Sequence, residues 1–305
     1  MSWTLEFDKK LKEFLPEVQV LCDEPMGRHT SFHIGGPARR MAFPKASQLV
    51  QLMELAEECG ARPLVIGKGS NLLVADAGLD RLVINTSGMD GVKLGEEPCS
   101  VVAEAGVSLA KLAAFACRQG LTGLEFAHGI PGALGGAVCM NAGAYDGEMK
   151  QVLECVTVYF PGEGVRELSC GEMDFSYRHS LLSDRPEAVV LSAVLRLAPG
   201  EEEAIRGKMQ ELMRRRKASQ PLEYPSAGST FKRPAGYFAG TLIDQCGLKG
   251  LRVGGAQVSE KHAVFVINIG GATFADVTEL IRQVQARVLE EKGVRLEPEV
   301  RIVNE

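Results

Sequence analysis

The glycine content of residues 129–147 constrains the fold more than any other feature of the sequence. Six of these 19 residues are glycine, out of 34 in the 305-residue chain. Glycine loses more conformational freedom on folding than other residues, so this density favours neither a helix nor a strand. Ile130, Leu134, Val138 and Met140 supply apolar groups that argue against disorder. The stretch therefore predicts a long ordered loop with close backbone approaches, which is typical of functional loops.

Regular helix and strand patterns surround this stretch. Apolar residues at helical spacing behind caps such as Ser47, Ser108 and Thr273 predict helices, and short apolar or alternating runs predict strands. The predicted helices cover residues 47–60, 108–120, 201–219, 237–246 and 273–292, and the predicted strands cover residues 63–66, 79–85, 100–105, 152–160, 188–197, 263–268 and 296–303. This order of elements indicates an α/β or α+β fold.

The composition is that of an ordinary globular protein, with 45% hydrophobic and 24% charged residues. A formal net charge of −5 and a pI near 5.7 argue against a dedicated nucleic-acid binder but not against a local anion pocket. Apolar runs such as residues 263–267 are far shorter than the roughly 20 residues that span a bilayer. Residues 1–14 are charged and lack an apolar core, so no signal peptide is predicted. We therefore expect a cytoplasmic protein without membrane or nucleic-acid partners.

The cysteines and histidines show no recognisable metal-site spacing. The eight cysteines include no C-x-x-C pair, and the five histidines are scattered. We predict no bound metal, and we interpret the cysteines as reduced, buried residues of a cytosolic protein. A catalytic thiol is the alternative.

A shorter glycine-rich segment, Gly67-Lys68-Gly69-Ser70-Asn71, follows a predicted strand. Small residues of this kind can form a nest of backbone N–H groups for a diphosphate. Leu72 stands where the Rossmann fingerprint has its third glycine, and the Walker A spacing is missing too. Taken alone, the segment fits a plain tight turn equally well. Together with residues 129–145 it predicts two loops that grip one extended dinucleotide, the alternative being a turn and an ordinary Ω-loop.

Three further residues are candidates for chemistry, each with a simpler alternative. Ser229 lies in an uncrowded loop, but the G-x-S-x-G elbow is absent and no histidine is close in sequence. An activated nucleophile is therefore poorly supported, whereas a hydrogen-bond or proton donor stays open. Arg178 lies in a polar patch between strands, with a surface arginine as the alternative. Glu299 would lie on an exposed strand face if Val300 and Ile302 face the core.

The basic run at residues 214–217 closes the predicted helix at 201–219. Basic residues there complement the helix dipole, which makes a solvated helix end the simplest interpretation. Because the run precedes the Ser229 loop in an acidic protein, binding of an anion is the alternative.

Taken together, these segments resemble one known family. The sequence is similar over nearly its whole length to the UDP-N-acetylenolpyruvoylglucosamine reductases, also called UDP-N-acetylmuramate dehydrogenases. The matching motifs, in chain order, are residues 30–38, 67–74, 129–132, 141–145, 176–178, 226–232 and 299–301. Motifs of this number in the right order are not expected by chance.

The resemblance implies an α+β protein: a two-lobed FAD-binding fold of the vanillyl-alcohol-oxidase type, followed by a smaller α/β substrate-binding domain. The expected limits are 1–90 for the first lobe, 91–219 for the second and 220–295 for the substrate domain, with a strand at 296–305 returning to the first lobe. Between Tyr177 and Ser229 the chain is too short for the extra tyrosine loop of longer family members, so it resembles the shorter form.

The resemblance also implies a reaction and its site. The family uses NADPH and non-covalent FAD to reduce the enolpyruvyl ether of UDP-N-acetylglucosamine enolpyruvate to UDP-N-acetylmuramate in peptidoglycan precursor synthesis. FAD would be held by Gly67, Lys68, Gly69, Ser70, Asn71, Leu72, Gly129, Ile130, Pro131, Gly132, Gly135, Gly136, Asn141, Gly143 and Ala144. The substrate would contact Tyr177, Lys217, Lys232 and His262.

The implied mechanism gives three residues a catalytic role. When hydride reaches the terminal carbon of the enolpyruvyl group, negative charge develops at the α-carbon and its carboxylate. Arg178 would hold that charge, a protonated Glu299 would donate a further hydrogen bond, and Ser229 would deliver a proton to the α-carbon. A monomer with only small-molecule partners is expected.

Two other classes of function stay open from the sequence. An oxidase of the same fold would react rapidly with oxygen and often carries a covalent flavin. No histidine is a compelling attachment point for such a link, and His33 and His128 are the two that stay open. A non-catalytic nucleotide-sugar binder would need no flavin, and the two glycine loops argue against it.

Overall fold

The computed structural model describes residues 3–304. The chain forms two compact units, each assembled from separate segments. The first contains the residues up to Leu21 together with Arg40–Lys68 and Arg81–Arg215, and the second contains Cys22–Arg39, Gly69–Asp80 and the residues from Arg216 onward. The lobe and domain limits implied by the resemblance stay a prediction.

Helices and strands are distributed along the whole described chain. The helices are α1 (Trp3–Phe14), α2 (Ala46–Glu58), α3 (Leu109–Arg118), α4 (Leu134–Cys139), α5 (Glu202–Ser219), α6 (Ala239–Gln245) and α7 (Phe274–Lys292). The strands are β1 (Gln19–Pro25), β2 (Pro37–Phe43), β3 (Leu64–Ile66), β4 (Leu72–Val74), β5 (Leu79–Asn85), β6 (Val92–Leu94), β7 (Ser100–Glu104), β8 (Leu121–Thr122), β9 (Gly143–Ala144), β10 (Gly147–Glu148), β11 (Leu153–Phe160), β12 (Gly164–Ser169), β13 (Val189–Arg196), β14 (Ala198–Pro199), β15 (Arg252–Val253), β16 (Ala256–Val258), β17 (Val266–Asn268) and β18 (Arg301–Val303). This mixture confirms the α+β class.

A five-stranded sheet lies within the first unit, with the order β12-β11-β13-β7-β6. Its strand pairs are antiparallel, and the central register places Val156 opposite Ala193 and Ala193 opposite Ala103. These three side chains are almost fully buried. Helix α4 packs against β13 and β7, so the sheet supports the middle of the second glycine-rich stretch, residues 129–147.

A second sheet has the order β1-β2-β5-β3. Strands β3 and β5 are parallel, with Leu64 opposite Val83 and Ile66 opposite Asn85. Parallel strands end at the same edge of a sheet, so the segments that follow β3 and β5 begin side by side. The hydroxyl of Thr86, just after β5, donates to the Ile66 carbonyl at 3.3 Å. The first glycine-rich segment, residues 67–71, starts at this edge.

The second unit contains a three-stranded antiparallel sheet, β15-β16-β17, and helices α6 and α7. Helix α7 contacts both β16 and α6. Its inward stripe is almost completely buried and consists of Val277, Leu280, Ile281, Val284 and Val288. A separate parallel pair joins β4 to β18, with Arg301 opposite Leu72 and Val303 opposite Val74.

The strongest local signals in the sequence are confirmed. Ser108 caps α3 by accepting a hydrogen bond from the Lys111 N–H. Thr273 caps α7 and forms a capping box with Asp276. Helix α2 is present too, but Ser47 is not its cap, because the helix begins one residue earlier and Gln48 Oε1 accepts the Lys45 N–H at 2.9 Å.

The prediction that residues 129–147 contain no helix or strand is wrong. The stretch contains α4 and the β9–β10 hairpin. Tertiary bonds override the low propensity, since Leu134 N–H donates to Val107 O at 2.9 Å and Gly135 N–H donates to Ala105 O at 2.8 Å. A Cβ at Gly135 would lie only 3.0 Å from Ala105 Cβ, so this glycine allows the helix to approach the sheet.

The last predicted strand is also shorter than expected, because only β18 (Arg301–Val303) is extended. The expected alternation of Val300 and Ile302 is wrong: Val300 and Val303 are buried, whereas Ile302 is 40% exposed. Among the described helices, none is long and apolar enough to cross a membrane.

Candidate active site

The first glycine-rich segment is held by close backbone approaches. Gly69 has φ +58, and a Cβ there would lie 2.0 Å from the His29 carbonyl oxygen. The Gly69 carbonyl in turn accepts the Ser31 N–H at 3.2 Å. A side chain at this position is excluded both by backbone conformation and by space. The local structure therefore requires a glycine at position 69, independently of any ligand.

Within the first unit, the two glycine-rich stretches meet. A Cβ built on Gly67 would lie 2.9 Å from Ala133 Cβ. Ala133 directly precedes α4 and forms an isolated bridge with Ser108. The sequence-based hypothesis of two loops acting on one ligand is compatible with this contact.

The second stretch also leaves room for a ligand. A Cβ at Gly136 would meet no atom within 4 Å, and the residue is exposed. Next to the stretch, His128 Nδ1 is buried yet has no hydrogen-bond partner among the described residues. Buried polar groups in proteins normally have a partner, so this nitrogen is a group that a bound molecule can satisfy. The residues present therefore fit a polar, extended cofactor.

Asn141 organises the end of this stretch. It is 1% exposed, and its amide Nδ2 donates to Glu148 Oε2 and to the Ser176 carbonyl, both at 3.1 Å. Its Oδ1 accepts the Lys150 N–H at 2.9 Å. The side chain of this predicted FAD residue is thus directed at the protein itself, and it ties the β9–β10 hairpin to the turn at Ser176.

Arg178 lies in that turn. Ser176 and His179 exchange backbone hydrogen bonds at 3.1 and 3.2 Å, and Arg178 adopts φ +56. A left-handed conformation costs a non-glycine residue roughly 1–2 kcal/mol, and such strain clusters at functional sites. The guanidinium Nη2 donates to the Gly143 carbonyl at 3.3 Å, and its carbon lies 5.4 Å from the centre of the Tyr177 ring. Arg178 is therefore a half-buried residue fixed against the second glycine-rich stretch.

Ser229 and Glu299 come from segments that pair in the second unit. Glu299 N–H donates to Thr230 O and Lys232 N–H donates to Glu297 O, both at 2.8 Å. Thr230 is 1% exposed, and its hydroxyl accepts the Val266 N–H at 2.9 Å. The Ser229 loop is thereby fixed to the sheet on one side and to the Glu299 segment on the other.

The first glycine-rich segment reaches Glu299 as well. Asn71 Nδ2 donates to the Glu299 carbonyl at 3.0 Å, and the Asn71 carbonyl accepts the Arg301 N–H at 2.9 Å. The second unit thus joins Ser229, Glu299 and Asn71 through the backbone, whereas Arg178 belongs to the first unit.

The predicted substrate residues have different surroundings. Tyr177 is 53% exposed, and Lys217 is exposed while its carbonyl accepts a hydrogen bond from Lys261 Nζ at 2.8 Å. Lys232 Nζ forms an ion pair with Glu297 at 2.5 Å. No group of three or more potential metal ligands occurs in residues 3–304.

His262 is half-buried, and its ring centre lies 5.4 Å from that of Phe265. Burial lowers the pKa of the imidazole, and the nearby Lys249 ammonium lowers it further. The neutral ring can both donate and accept a hydrogen bond.

Sequence reasoning missed two features. The buried hydroxyl of Thr230 fixes the Ser229 loop, and the Arg215 guanidinium carbon lies 4.8 Å from the centre of the Tyr145 ring. Tyr145 and its neighbour Asp146 both have positive φ, as a two-residue hairpin turn requires. Of these features, only the hairpin has a signal in the sequence, an aromatic residue and an aspartate between two glycines.

Comparison with known proteins gives first the class. Residues 37–169 match the family model of the FAD binding domain, so the chain is of the flavoprotein class. Residues 220–303 match the model of the UDP-N-acetylenolpyruvoylglucosamine reductase C-terminal domain. These two matches confirm the expectation of an FAD-binding fold followed by a smaller domain.

The particular family follows from full-length relatives. UDP-N-acetylenolpyruvoylglucosamine reductases from Agathobacter rectalis and Caldanaerobacter subterraneus subsp. tengcongensis are 49% and 50% identical, over 98% and 97% of both chains. The solved UDP-N-acetylenolpyruvylglucosamine reductase from Thermus caldophilus is 38% identical, with a TM-score of 0.77 over 94% of this chain and 99% of its own. The chain belongs to the UDP-N-acetylenolpyruvoylglucosamine reductase family, which confirms the resemblance.

Proposed function

We propose that this protein is an NADPH-dependent flavoenzyme that reduces the enolpyruvyl ether of UDP-N-acetylglucosamine enolpyruvate to UDP-N-acetylmuramate, in peptidoglycan precursor synthesis. The single observation that carries the proposal is the full-length identity of 49–50% to reductases of this name. When bound, FAD carries hydride from NADPH to the terminal carbon of the enolpyruvyl group. The protein supplies orientation, charge stabilisation and a proton.

Backbone groups of the two glycine-rich stretches would hold FAD. The support is the closeness of Gly67 to Ala133, the open space beside Gly136 and the buried Nδ1 of His128, which has no hydrogen-bond partner within residues 3–304. The predicted set is Gly67, Lys68, Gly69, Ser70, Asn71, Leu72, Gly129, Ile130, Pro131, Gly132, Gly135, Gly136, Asn141, Gly143 and Ala144. For Asn141 the backbone is the group we assign, since its side chain is used within the protein.

Arg178 would bind the substrate carboxylate and the charge that develops next to it. A guanidinium forms charge-assisted hydrogen bonds to carboxylates, which are about twice as strong as neutral ones. The strained turn and the bond to Gly143 hold the group in place before the substrate arrives. A preorganised donor needs no reorganisation as the charge forms, which is the main source of electrostatic catalysis.

Glu299 and Ser229 would act on the same intermediate. A protonated Glu299 donates a hydrogen bond to the enolate, and the Ser229 hydroxyl transfers its proton to the α-carbon, where the electron pair of the double bond resides after hydride arrives. The backbone pairing of Thr230 with Glu299 supports a joint action of the two side chains. Solvent then restores the serine proton.

Four further residues would contact the rest of the substrate. Lys217 and Lys232 are assigned to the phosphates because each is a cation in the second unit, on either side of the Ser229 loop. Tyr177 is assigned because it is exposed beside Arg178, and His262 because its neutral ring can accept or donate. We propose the short family form, without a tyrosine loop.

The organisation and location of the protein complete the proposal. We propose FAD-binding lobes at residues 1–90 and 91–219 and a substrate domain at 220–295, with residues 296–305 joining the first lobe. Strand β18 pairs with β4, which lies within residues 1–90 of the chain, and both strands belong to the second compact unit. We also propose a monomer in the cytoplasm, where eight unpaired cysteines suit a reducing compartment.

The decisive experiment is anaerobic. NADPH is added to the purified holoprotein, then UDP-N-acetylglucosamine enolpyruvate, and the flavin absorbance near its visible maximum is followed. We expect bleaching by NADPH and recovery with the substrate. UDP-N-acetylglucosamine without the enolpyruvyl group is the control and should give no recovery. Recovery with oxygen but not with the substrate would replace the proposal by an oxidase.

A further inference from the structure

The backbone of Glu299 is held from both of its polar groups within the second unit. Its N–H donates to the Thr230 carbonyl at 2.8 Å, and its carbonyl accepts from Asn71 Nδ2 at 3.0 Å. The Asn71 carbonyl accepts the Arg301 N–H at 2.9 Å. Asn71, in the first glycine-rich segment, is therefore hydrogen-bonded to the residues on both sides of Val300.

The two bonds made by Asn71 have separate consequences. The bond from Arg301 uses only the Asn71 backbone, and it continues into the parallel pairing of Arg301 with Leu72. That pairing holds the strand whatever side chain residue 71 carries. The bond to Glu299 uses the amide side chain, so a substitution at residue 71 removes this bond and leaves the ladder intact.

The hydrogen bond from the Asn71 side chain also acts where the position of the Glu299 carboxyl is set. Glu299 immediately precedes buried Val300, and its own N–H is fixed to the segment of Ser229. Loss of the Asn71 donor removes the hydrogen bond that holds the Glu299 carbonyl, and the main chain from which the carboxyl extends becomes less restrained. Displacement of a reacting group by about 1 Å can lower a rate by on the order of 10².

We propose that Asn71 is a positioning residue, which fixes the Glu299 carboxyl relative to Ser229 through the Glu299 carbonyl. The inference rests on the proposed function, because it assumes that Glu299 acts in reduction of the enolpyruvyl group. It assigns the Asn71 side chain to Glu299 rather than to FAD. FAD would bind at the Gly69–Asn71 segment. By this inference, Glu299 is ordered only when that segment is ordered.

The test is a double-mutant cycle on the holoenzyme with Asn71→Ala, Glu299→Gln and the combination. Rapid mixing separates reduction of the flavin by NADPH from its reoxidation by UDP-N-acetylglucosamine enolpyruvate. We expect Asn71→Ala to slow reoxidation by about 10-fold to 10², with reduction by NADPH and flavin content unchanged. In the Glu299→Gln background the same substitution should change reoxidation less than about 2-fold, because residues that act as a unit are not additive.

Asp76→Ala is the matched control. Asp76 lies in the same chain segment, and its carboxylate accepts the Phe274 N–H at 2.9 Å, so this variant also removes one side-chain-to-backbone bond. It should leave reoxidation at the parent rate. If Asn71→Ala gives no holoenzyme, Asn71→Asp, which keeps the size and loses the donor, is read in the same way.

Three results would overturn the inference: full additivity of Asn71→Ala and Glu299→Gln, an equal slowing by Asp76→Ala, or a loss of flavin from the Asn71 variants that accounts for their slow reoxidation. Failure of the proposed function is a separate result. In that case the parent protein itself would not be reoxidised by the enolpyruvyl substrate.

Discussion

Arg178 donates from Nη2 to the carbonyl oxygen of Gly143 at 3.3 Å, from a backbone with φ +56. The bond connects a strained turn to the hairpin that ends the second glycine-rich stretch. Asn141 makes the same connection from the other direction, through its bond to the Ser176 carbonyl. The guanidinium and the hairpin are therefore ordered together.

The first prediction concerns this guanidinium. Arg178→Ala should slow reoxidation of the reduced flavin by the enolpyruvyl substrate by on the order of 10²–10³, since one preorganised donor to a developing charge is worth that much. Substrate binding should weaken less, because the charge is largest after hydride transfer. Arg178→Lys keeps the charge but not the planar fork, so its reoxidation rate should lie between those of the parent and of Arg178→Ala.

Arg166→Ala is the control for Arg178. Arg166 also lies near an aromatic ring, with its guanidinium carbon 5.4 Å from the centre of the Phe160 ring, and it pairs with Glu163 at 3.4 Å. Rapid-mixing rates of this variant should equal those of the parent. A normal reoxidation rate in Arg178→Ala would show that Arg178 has no catalytic role and is a surface arginine.

The second prediction separates the two half-reactions with Ser229→Ala. Reduction of FAD by NADPH needs no proton from Ser229 and should keep its rate. Reduction of the enolpyruvyl ether should slow by about 10²–10⁴, the usual range for general acid help. Ser229→Cys retains a transferable proton and should keep more activity than alanine. Unchanged reoxidation in Ser229→Ala would assign the proton to another group or to water.

The third prediction concerns FAD retention. The parent protein should be yellow and release its flavin on denaturation. Gly69→Ala should lose flavin and melt at a lower temperature, because its Cβ would lie 2.0 Å from the His29 carbonyl oxygen in addition to the strain of φ +58. Absorbance after gel filtration and a thermal melt are the measurements.

Gly162→Ala isolates the backbone strain. Gly162 has φ +75 and no atom within 4 Å of a built Cβ, so its substitution adds strain without a clash. We expect a loss of about 1–2 kcal/mol in the free energy of unfolding and a normal flavin content. An equal flavin loss in both glycine variants would contradict the role of the close approach at Gly69.

The fourth prediction concerns pH. Burial lowers the pKa of His262 below its ordinary value of 6.5 in the folded protein. On acidification below 6.5, the unfolded chain binds a proton at this residue at higher pH than the folded protein does, so the free energy of unfolding falls until the pH passes the lowered pKa of the folded state. Above 6.5 both states are neutral there, and this contribution vanishes.

His262→Gln should remove that dependence. Melting temperatures of parent and variant are compared at pH 7.5 and pH 5.5, with His179→Gln as the control. His179 pairs with Asp184 and is near the surface. An equal fall in melting temperature on acidification for the parent and for His262→Gln would show that folding does not lower the pKa of His262.

The sequence by itself determined the features that depend on near neighbours. The cap at Ser108, the capping box of Thr273 with Asp276 and the stop of α7 at Gly293, with φ +66, all use bonds between residues a few positions apart. Local propensity and capping energy suffice for these, so pattern and structure agree. The family motifs likewise identify the candidate residues without any geometry.

Only the tertiary structure decided how those residues are held. The helix within residues 129–147 exists because Val107 and Ala105 accept its first N–H groups, and the glycines that speak against it allow the approach to the sheet. Asn71 and Glu299 are 228 positions apart, and their bond depends on the parallel pairing of β4 with β18. Such contacts arise from long-range burial and loop closure, which no local pattern encodes.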